Sequence, residues 1–177
     1  MGRIRRIVAG GQTGVCRAAL DFAVQHHFSY SGYVSQGGRS DDFPEPPGLL
    51  VKYPGLREHL SAEVRPSIEA NIRCSGATVI LGVNRGHAGL DVDFAMHVIS
   101  KHRRPEFRCE AATAVDAIQR ERLRLSNFLN TFDSDIALNV IGPSERNSPG
   151  IYEMAEQWLN LIIRELLVRS GGTHEPT

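Results

Sequence analysis

The chain has 177 residues, of which 41% are hydrophobic, and this is enough to build the core of one domain. Its 20 Lys and Arg residues balance 20 Asp and Glu residues, so no net positive charge indicates a nucleic-acid partner. No stretch approaches the roughly 20 apolar residues that span a bilayer, so no membrane association is expected. The 3 cysteines lie far apart without a C-x-x-C pair, which predicts reduced thiols and a cytoplasmic protein.

Strands and helices are predicted to alternate along the sequence, which indicates a parallel sheet covered by helices on both faces. Short apolar runs predict strands at residues 5–9, 29–34, 77–82, 106–108 and 136–141. Apolar residues at helical spacing predict helices at residues 15–27, 62–75, 90–101, 112–131 and 150–169. We therefore expect one Rossmann-like α/β domain with three layers over residues 1–170, followed by a disordered tail at residues 171–177.

A long irregular segment is predicted at residues 35–60, where Gly, Pro and Asp are frequent. It follows the carboxyl end of the second predicted strand, and ligands of open α/β sheets bind at that edge. Loops of this length within a compact domain are often functional or mobile. Asp41 and Asp42 in this segment are candidates for holding a cation or sugar hydroxyls, although Asp residues in loops usually only form turns.

The sequence Gly10-Gly11-Gln12-Thr13-Gly14 joins the first predicted strand to the first predicted helix. Glycine lets another molecule approach the main chain closely, and unpaired N–H groups at a helix start attract an anion. The pattern is GGxxG, which is neither the complete dinucleotide fingerprint nor a P-loop. The turn therefore predicts a phosphate-sized pocket, and a tight turn without a ligand is the alternative.

Two further turns lead from a predicted strand into a helix, at residues 82–89 and 142–150. All three turns should meet at the carboxyl edge of the sheet, where their N–H groups can bind a phosphate or an oxyanion. Arg side chains pair with phosphate, and Asn or Gln can bind the edge of a base or a pterin. Beyond residues 10–14, the candidate binding residues are Asn71, Arg73, Gly86, Gly89, Gly142, Pro143 and Ser144, with Asn84, Arg85, Glu145 and Arg146 nearby.

Four blocks of the sequence carry a resemblance to a known family. They are residues 10–15 with Arg17-Ala18-Ala19-Leu20-Asp21, residues 53–58, residues 71–81, and residues 138–152. These blocks resemble the family of putative molybdenum carrier proteins. That family is a circularly permuted branch of the SLOG group of Rossmann-like proteins, related to the lysine-decarboxylase-like nucleotide-binding proteins. The resemblance implies a Rossmann-like fold and a phosphorylated ligand that is nucleotide-like or pterin-like, with the molybdenum cofactor or a nucleotide as the group carried.

The sequence departs from the family pattern mainly at the expected ligand edge. Cys16 stands where the family usually has Asp, Gln36 replaces a Lys, and Leu90 lies where a Thr is usual. A Cys at a helix start can be reactive, but a small buried packing group is the alternative that we favour. These changes indicate a retained fold with an altered or weakened ligand specificity.

Three functions remain open from the sequence. The first is the carrier implied by the resemblance. The second is an enzyme that hydrolyses the N-glycosidic bond of nucleoside monophosphates, with Glu145 as the catalytic acid–base group and Arg73 binding the phosphate. The third is a degenerate, non-catalytic binding protein.

The histidines and the last predicted helix complete the sequence-based expectations. The 7 His residues form no H-x-x-x-H pattern, and they form no cluster with Cys, so no metal ion held by protein ligands is expected. The predicted helix at residues 150–169 has one continuous apolar face. That face indicates either core packing or a homodimer contact.

Overall fold

The structure is a computed structural model, which describes residues 3–82, 89–110, 115–164 and 166. Its centre is a 6-stranded parallel sheet with the strand order β3-β2-β1-β6-β4-β5. The strands are β1 (Ile4–Val8), β2 (Tyr30–Val34), β3 (Leu56–Glu58), β4 (Ala77–Leu81), β5 (Glu106–Cys109) and β6 (Ile136–Ile141). Every residue of β4 and β6 is buried, as expected for central parallel strands that are covered on both faces.

The helices are α1 (Val15–Gln25), α2 (Leu49–Lys52), α3 (Val64–Arg73), α4 (Leu90–Lys101), α5 (Val115–Leu129) and α6 (Ile151–Trp158). A π-helical turn continues α6 over Leu159–Ile163. Helix α1 packs against α6, and α5 contacts the π-helical turn, whereas α3 packs against α4. The helices thus form two groups, one on each face of the sheet. The three-layer Rossmann-like fold that the sequence predicts is confirmed.

The last strand in the sequence, β6, lies between β1 and β4 at the centre of the sheet. The loop after β6 leads into α6, which packs beside α1, and the loop after β4 leads to α4, which packs beside α3. Neighbouring strands whose loops turn to opposite faces leave a crevice at their carboxyl ends. In this protein, the change of face falls between β6 and β4, next to β1 and the loop that follows it.

The segment at residues 35–60 is more ordered than the sequence predicts. It contains a 3₁₀ turn (Gln36–Gly38), helix α2 and the edge strand β3, which the sequence analysis missed. Strand β3 has only three residues, and two of them, Arg57 and Glu58, are exposed. Such a short edge strand has neither an apolar run nor a full alternation of polar and apolar residues, so the sequence does not predict a strand there.

The apolar face of the last helix is part of the core of this protein. Ile151, Ala155 and Trp158 of α6 are buried, as are Leu159 and Ile162 of the π-helical turn. The predicted helix over residues 112–131 is observed as α5, and residues 112–114 and the predicted tail lie outside the described residues. None of the helices in the described part of the chain is long and apolar enough to cross a membrane.

Candidate functional site

The loop after β1 presents main-chain N–H groups at the start of α1. Gly11 and Gly14 have φ values of 74° and 84°, which turn the chain sharply between the strand and the helix. The N–H groups of Gly11, Gln12, Thr13 and Gly14 donate to no other residue in the described part of the chain. Gln12 and Thr13 are partly exposed. The loop at residues 10–14 therefore offers a set of unused donors at the positive end of a helix.

Gly14 allows the loop after β1 to touch the loop after β6. A Cβ atom at this position would lie 2.5 Å from the carbonyl oxygen of Pro143 and 2.8 Å from the main-chain nitrogen of Glu145. The next residue, Val15, donates its N–H to the carbonyl of Pro143 at 3.2 Å. The two predicted turns therefore do converge, and Gly14 is required at their contact because no side chain fits there.

The described part of the loop after β4 also reaches the loop after β6. The side chain of Asn147 lies so close to Gly89 that a Cβ atom on Gly89 would be 2.2 Å from its Nδ2 atom. Gly142 and Pro143 lie at the end of β6, and Ser144 accepts a hydrogen bond from the N–H of Asn147 at 3.3 Å through its hydroxyl. Gly86, Asn84 and Arg85 lie outside the described residues.

A buried arginine holds the shape of the loop at residues 10–14. The Nε and NH2 atoms of Arg17 donate to the carbonyl of Gly11 at 3.0 and 2.9 Å. The same guanidinium donates two hydrogen bonds to the carboxylate of Asp42, at 2.6 and 2.9 Å. Ser40 donates its hydroxyl to Asp42 at 2.7 Å. Arg17 therefore connects the loop after β1 to the turn that contains the Asp41-Asp42 pair, and this pairing was not predicted from the sequence.

Arg17 and Asp42 form an ion pair that is also hydrogen-bonded. The hydrogen bonds from Arg17 lower the pKa of the Asp42 carboxyl to about 2, because they stabilise its ionised form. The side chain of Arg17 is 7% exposed, whereas that of Asp42 is 42% exposed. The guanidinium also lies over the ring of Phe43, 5.3 Å from its centroid. Asp42 therefore holds Arg17 in place instead of presenting a free carboxylate to a ligand.

Asp21 forms a second connection on the same helix. Its carboxylate accepts hydrogen bonds from the hydroxyls of Tyr53 at 2.5 Å and Tyr152 at 2.9 Å, and it lies 3.5 Å from the Nζ atom of Lys52. These contacts join α1 to the end of α2 and to α6. The two charged residues of the first family block, Arg17 and Asp21, thus both position neighbouring segments around the loop.

Asn71 and Arg73, which the sequence analysis placed in one site, lie in different surroundings. The side-chain amide of Asn71 accepts from the N–H of Tyr33 at 2.6 Å and donates to its carbonyl at 3.0 Å. Asn71 is buried and lies beside Gly10, so it joins α3 to β2 next to the loop. Arg73 is exposed at the end of α3, where it lines a separate cleft with Tyr33 and His59.

Glu145 caps the start of α6. One carboxylate oxygen accepts the N–H of Gly150, and the other accepts the N–H of Tyr152 at 3.0 Å. A carboxylate at a helix start satisfies the unpaired N–H groups and interacts favourably with the helix dipole. The start of α6 is therefore already occupied by an anionic group of this protein, in contrast to the start of α1.

A small cleft adjoins the loop at residues 10–14. It has a volume of about 360 Å³ and is lined by Gln36, Gly37, Arg39, Pro46, Glu58 and Ala62. The side chain of Gln12 donates to the carbonyl of Arg39 at 3.4 Å, so the loop and the cleft are in contact. Glu58 accepts the N–H of Gly37 at 2.6 Å and closes one side. The volume is within the range of sites for small molecules.

Cys16 is a buried packing group in this structure. It is 8% exposed, and its Sγ atom lies 3.7 Å from the carbonyl oxygen of Val140. Burial raises the pKa of the Cys16 thiol to about 11, against a smaller opposite effect of nearby main-chain N–H groups. The thiol is therefore protonated at neutral pH, which agrees with the packing role and not with a reactive one.

The fold and the loop geometry define the class of protein: a doubly wound, Rossmann-like domain with a glycine loop at the carboxyl edge of its sheet. Over residues 7–163, the chain matches the circularly permutated YpsA SLOG family, and it belongs to that family. No curated protein sequence is similar enough to the chain to count as a match.

A solved structure shares the fold. It is the crystal structure, at 1.45 Å resolution, of a protein from Syntrophus aciditrophicus SB described as a putative molybdenum carrier protein. The two chains are 24% identical, and their similarity covers 92% of this chain and 96% of the other, with a TM-score of 0.77. This similarity confirms the Rossmann-like fold over almost the whole chain.

Proposed function

We propose that this protein binds a small phosphorylated ligand, nucleotide-like or pterin-like, at the carboxyl edge of the sheet, and that it acts as a molybdenum cofactor carrier. Family membership and the description of the neighbour from Syntrophus aciditrophicus support the carrier role. The observation that carries the binding proposal is the set of N–H groups at residues 11–14, which have no partner in the described part of the chain. Arg17 fixes the loop that presents them.

The ligand would use two neighbouring parts of this edge. Its phosphate would accept hydrogen bonds from the loop N–H groups at the start of α1, where the helix dipole favours negative charge. The rest of the ligand would extend into the adjoining cleft, where Gln36 provides an amide and Arg39 a positive charge. Molybdenum would arrive as part of this cargo, as an oxyanion or within a pterin cofactor.

The geometry does not favour the hydrolase alternative. Both carboxylate oxygens of Glu145 accept main-chain N–H groups of α6, and Arg73 lies in a separate cleft. The apolar face of α6 is buried in the core of this protein, so it is not available for a dimer contact. A homodimer would therefore use another surface, and we propose it separately from the ligand site. Measurement of the mass in solution at micromolar concentration tests the homodimer.

We further propose a cytoplasmic location, because the three cysteines form no disulfide bond.

The first experiment identifies the ligand. The purified protein is denatured, the released small molecules are identified by mass spectrometry, and molybdenum is quantified in the same sample. A pterin, or molybdenum in a stoichiometric amount, supports the carrier role. A nucleotide without molybdenum contradicts the carrier role but still supports the proposed phosphate site. Incubation with nucleoside monophosphates serves as the control, since release of free base would contradict a role limited to carrying.

Substitution of Thr13 tests whether the loop is the binding site. Thr13→Asp places a negative charge beside the loop N–H groups. Thr13→Asn introduces a side chain of nearly the same size as Asp but without the charge. We expect the Asp variant to lose the released ligand and the Asn variant to retain it, with equal melting temperatures. Equal ligand content in the two variants would place the ligand elsewhere.

A further inference from the structure

A second cleft lies on the face of the sheet that α3 covers. It has a volume of about 440 Å³ and is lined by Tyr33, His59, Ala70, Arg73 and Cys74. Helix α3 packs on β2, and the cleft opens where α3 ends beside the edge of the sheet. None of its lining residues in the described part of the chain belongs to the loop at residues 10–14.

Two arginines lie at this cleft: Arg73 belongs to its lining, and Arg57 neighbours the lining residue Tyr33. Arg57 of β3 lies directly beside Tyr33 of β2, and residues in register on parallel strands share one face of the sheet. Arg73 is the last residue of α3 and lines the cleft. Both side chains are exposed, and neither forms an ion pair or a hydrogen bond with a residue in the described ranges. Arginine is well suited to bind phosphate because its planar group donates several hydrogen bonds in a fixed geometry.

His59 adds a hydrogen-bond donor and Tyr33 adds an aromatic ring, and both residues are held in place. The Nδ1 atom of His59 accepts the N–H of Ser61 at 3.1 Å, so the neutral ring carries its proton on Nε2. The ring of Tyr33 stands against the ring of His59 at an angle of 81°, with 6.4 Å between their centroids. The main chain of Tyr33 is fixed by both of its hydrogen bonds to Asn71.

The neighbouring acidic groups are engaged elsewhere. Glu58 accepts the N–H of Gly37, next to the first cleft, and Glu69 of α3 pairs with His102 at 3.1 Å. Partial burial of its sulfur raises the pKa of the Cys74 thiol although the residue is exposed, while the charges of Arg6, Arg104 and Arg57 act to lower it. The thiol thus lies among positive charges, which is consistent with a cleft of positive potential.

We propose that this cleft is a second binding site, separate from the loop at residues 10–14, and that it takes the phosphate group of a small phosphate monoester. Arg57 and Arg73 bind the phosphate, His59 donates a hydrogen bond from Nε2, and the ring of Tyr33 contacts the organic part. The cleft has the size of a small-molecule site, which fits a small monoester.

Alkylation of Cys74 tests this proposal, because this exposed residue lines the cleft. The rate of iodoacetamide labelling is measured against phenyl phosphate at constant ionic strength, with phenol as the uncharged probe. We expect phenyl phosphate to slow the labelling of Cys74 in a saturable manner and phenol to have no effect. Equal protection by both compounds would overturn the phosphate assignment, as would protection that never saturates.

Four variants locate the binding site. Arg57→Gln and Arg73→Gln should each weaken the apparent affinity for phenyl phosphate about tenfold, the factor expected from losing a hydrogen bond to a charged group. Arg164→Gln, at an exposed arginine of the last helix, is the matched control and should leave it unchanged. Thr13→Asp should also leave it unchanged. Loss of protection in Thr13→Asp, or an equal effect in Arg164→Gln, would contradict a separate site, and thermal melting verifies that each variant folds.

Discussion

Arg17 and Asp42, 25 residues apart in the sequence, share two hydrogen bonds between guanidinium and carboxylate. Because Arg17 also donates to the carbonyl of Gly11, this pair connects the acidic turn to the candidate anion-binding loop. We expect Arg17→Met to lower the free energy of unfolding by about 2 kcal/mol, the range of hydrogen bonds to charged groups. A urea double-mutant cycle with Asp42→Asn should give a coupling energy of about 1 kcal/mol or more. Additive effects would show that the pair does not contribute as a unit.

Stability at acidic pH should report the same pair. The pKa of the Asp42 carboxyl is lowered to about 2 by the hydrogen bonds from Arg17, whereas an unfolded Asp has a pKa of about 3.9. Between these values the unfolded chain binds a proton that the folded protein does not, so the contribution is present above about pH 4 and is lost as the pH falls towards 2. From pH 5 to pH 2.5, we expect the urea midpoint of the wild type to fall further than that of Asp42→Asn. Equal decreases in the urea midpoints of the two proteins would contradict the lowered pKa of Asp42.

Gly14 and Gly150 form a matched pair for testing the contact between the loops. Both have positive φ values, 84° and 82°, but a Cβ on Gly150 would meet nothing within 4 Å, whereas one on Gly14 would overlap the carbonyl of Pro143. Gly150→Ala should cost about 1 kcal/mol from backbone strain alone. Gly14→Ala should cost more and should also abolish ligand binding, as measured by chemical unfolding and by the ligand content of the purified protein. Similar losses of stability in the two variants would mean that the loops separate easily.

Glu145 should contribute to stability as a helix cap. Glu145→Ala removes the carboxylate that accepts the N–H groups of Gly150 and Tyr152, and we expect a loss of about 1 kcal/mol in the free energy of unfolding. Arg146→Ala changes the adjacent exposed residue and should stay within about 0.5 kcal/mol of the wild type. Denaturant unfolding of both variants is the measurement. If Glu145→Ala left the free energy of unfolding unchanged, the capping role would be contradicted and Glu145 would again be a candidate acid–base group.

The three thiols should differ in reactivity. Cys74 is exposed, whereas Cys16 and Cys109 are buried. Desolvation raises the pKa of all three thiols, so access of the reagent distinguishes Cys74 from the other two. At pH 8 in the folded protein, we expect one fast labelling phase that Cys74→Ser removes. Peptide mass spectrometry identifies the labelled residue. Fast labelling of Cys16 would argue against its role as a packing group.

The sequence predicted those parts of the fold that depend on long local patterns. Strand β6 and helix α4 have the predicted bounds, because a continuous apolar run and a full helical period are each visible in the sequence. Helix α2 and strand β3 were missed because they are short and lie among Gly and Pro residues. Their position depends on tertiary contacts, such as that of Leu49 with Gly11, which no local pattern contains.

The candidate site was predictable only as a set of loops. The glycine turn and the contact between loops follow from strand order, and both are present in the structure. The roles of side chains could not be read in this way, since Asn71 and Arg73 are two residues apart and yet lie in different surroundings. Arg17 was visible only as part of a family block, and its partner Asp42 lies in a segment with no regular pattern.

The position of β6 also determines when the protein can fold during synthesis. Strands β3, β2 and β1 form one half of the sheet, β4 and β5 form the other, and β6 is the strand that pairs with both halves. Until residues 136–141 have left the ribosome, β1 and β4 each have an edge of unpaired N–H and C=O groups. Before that point neither half of the sheet can be completed, and unpaired strand edges of this kind tend to pair with other chains.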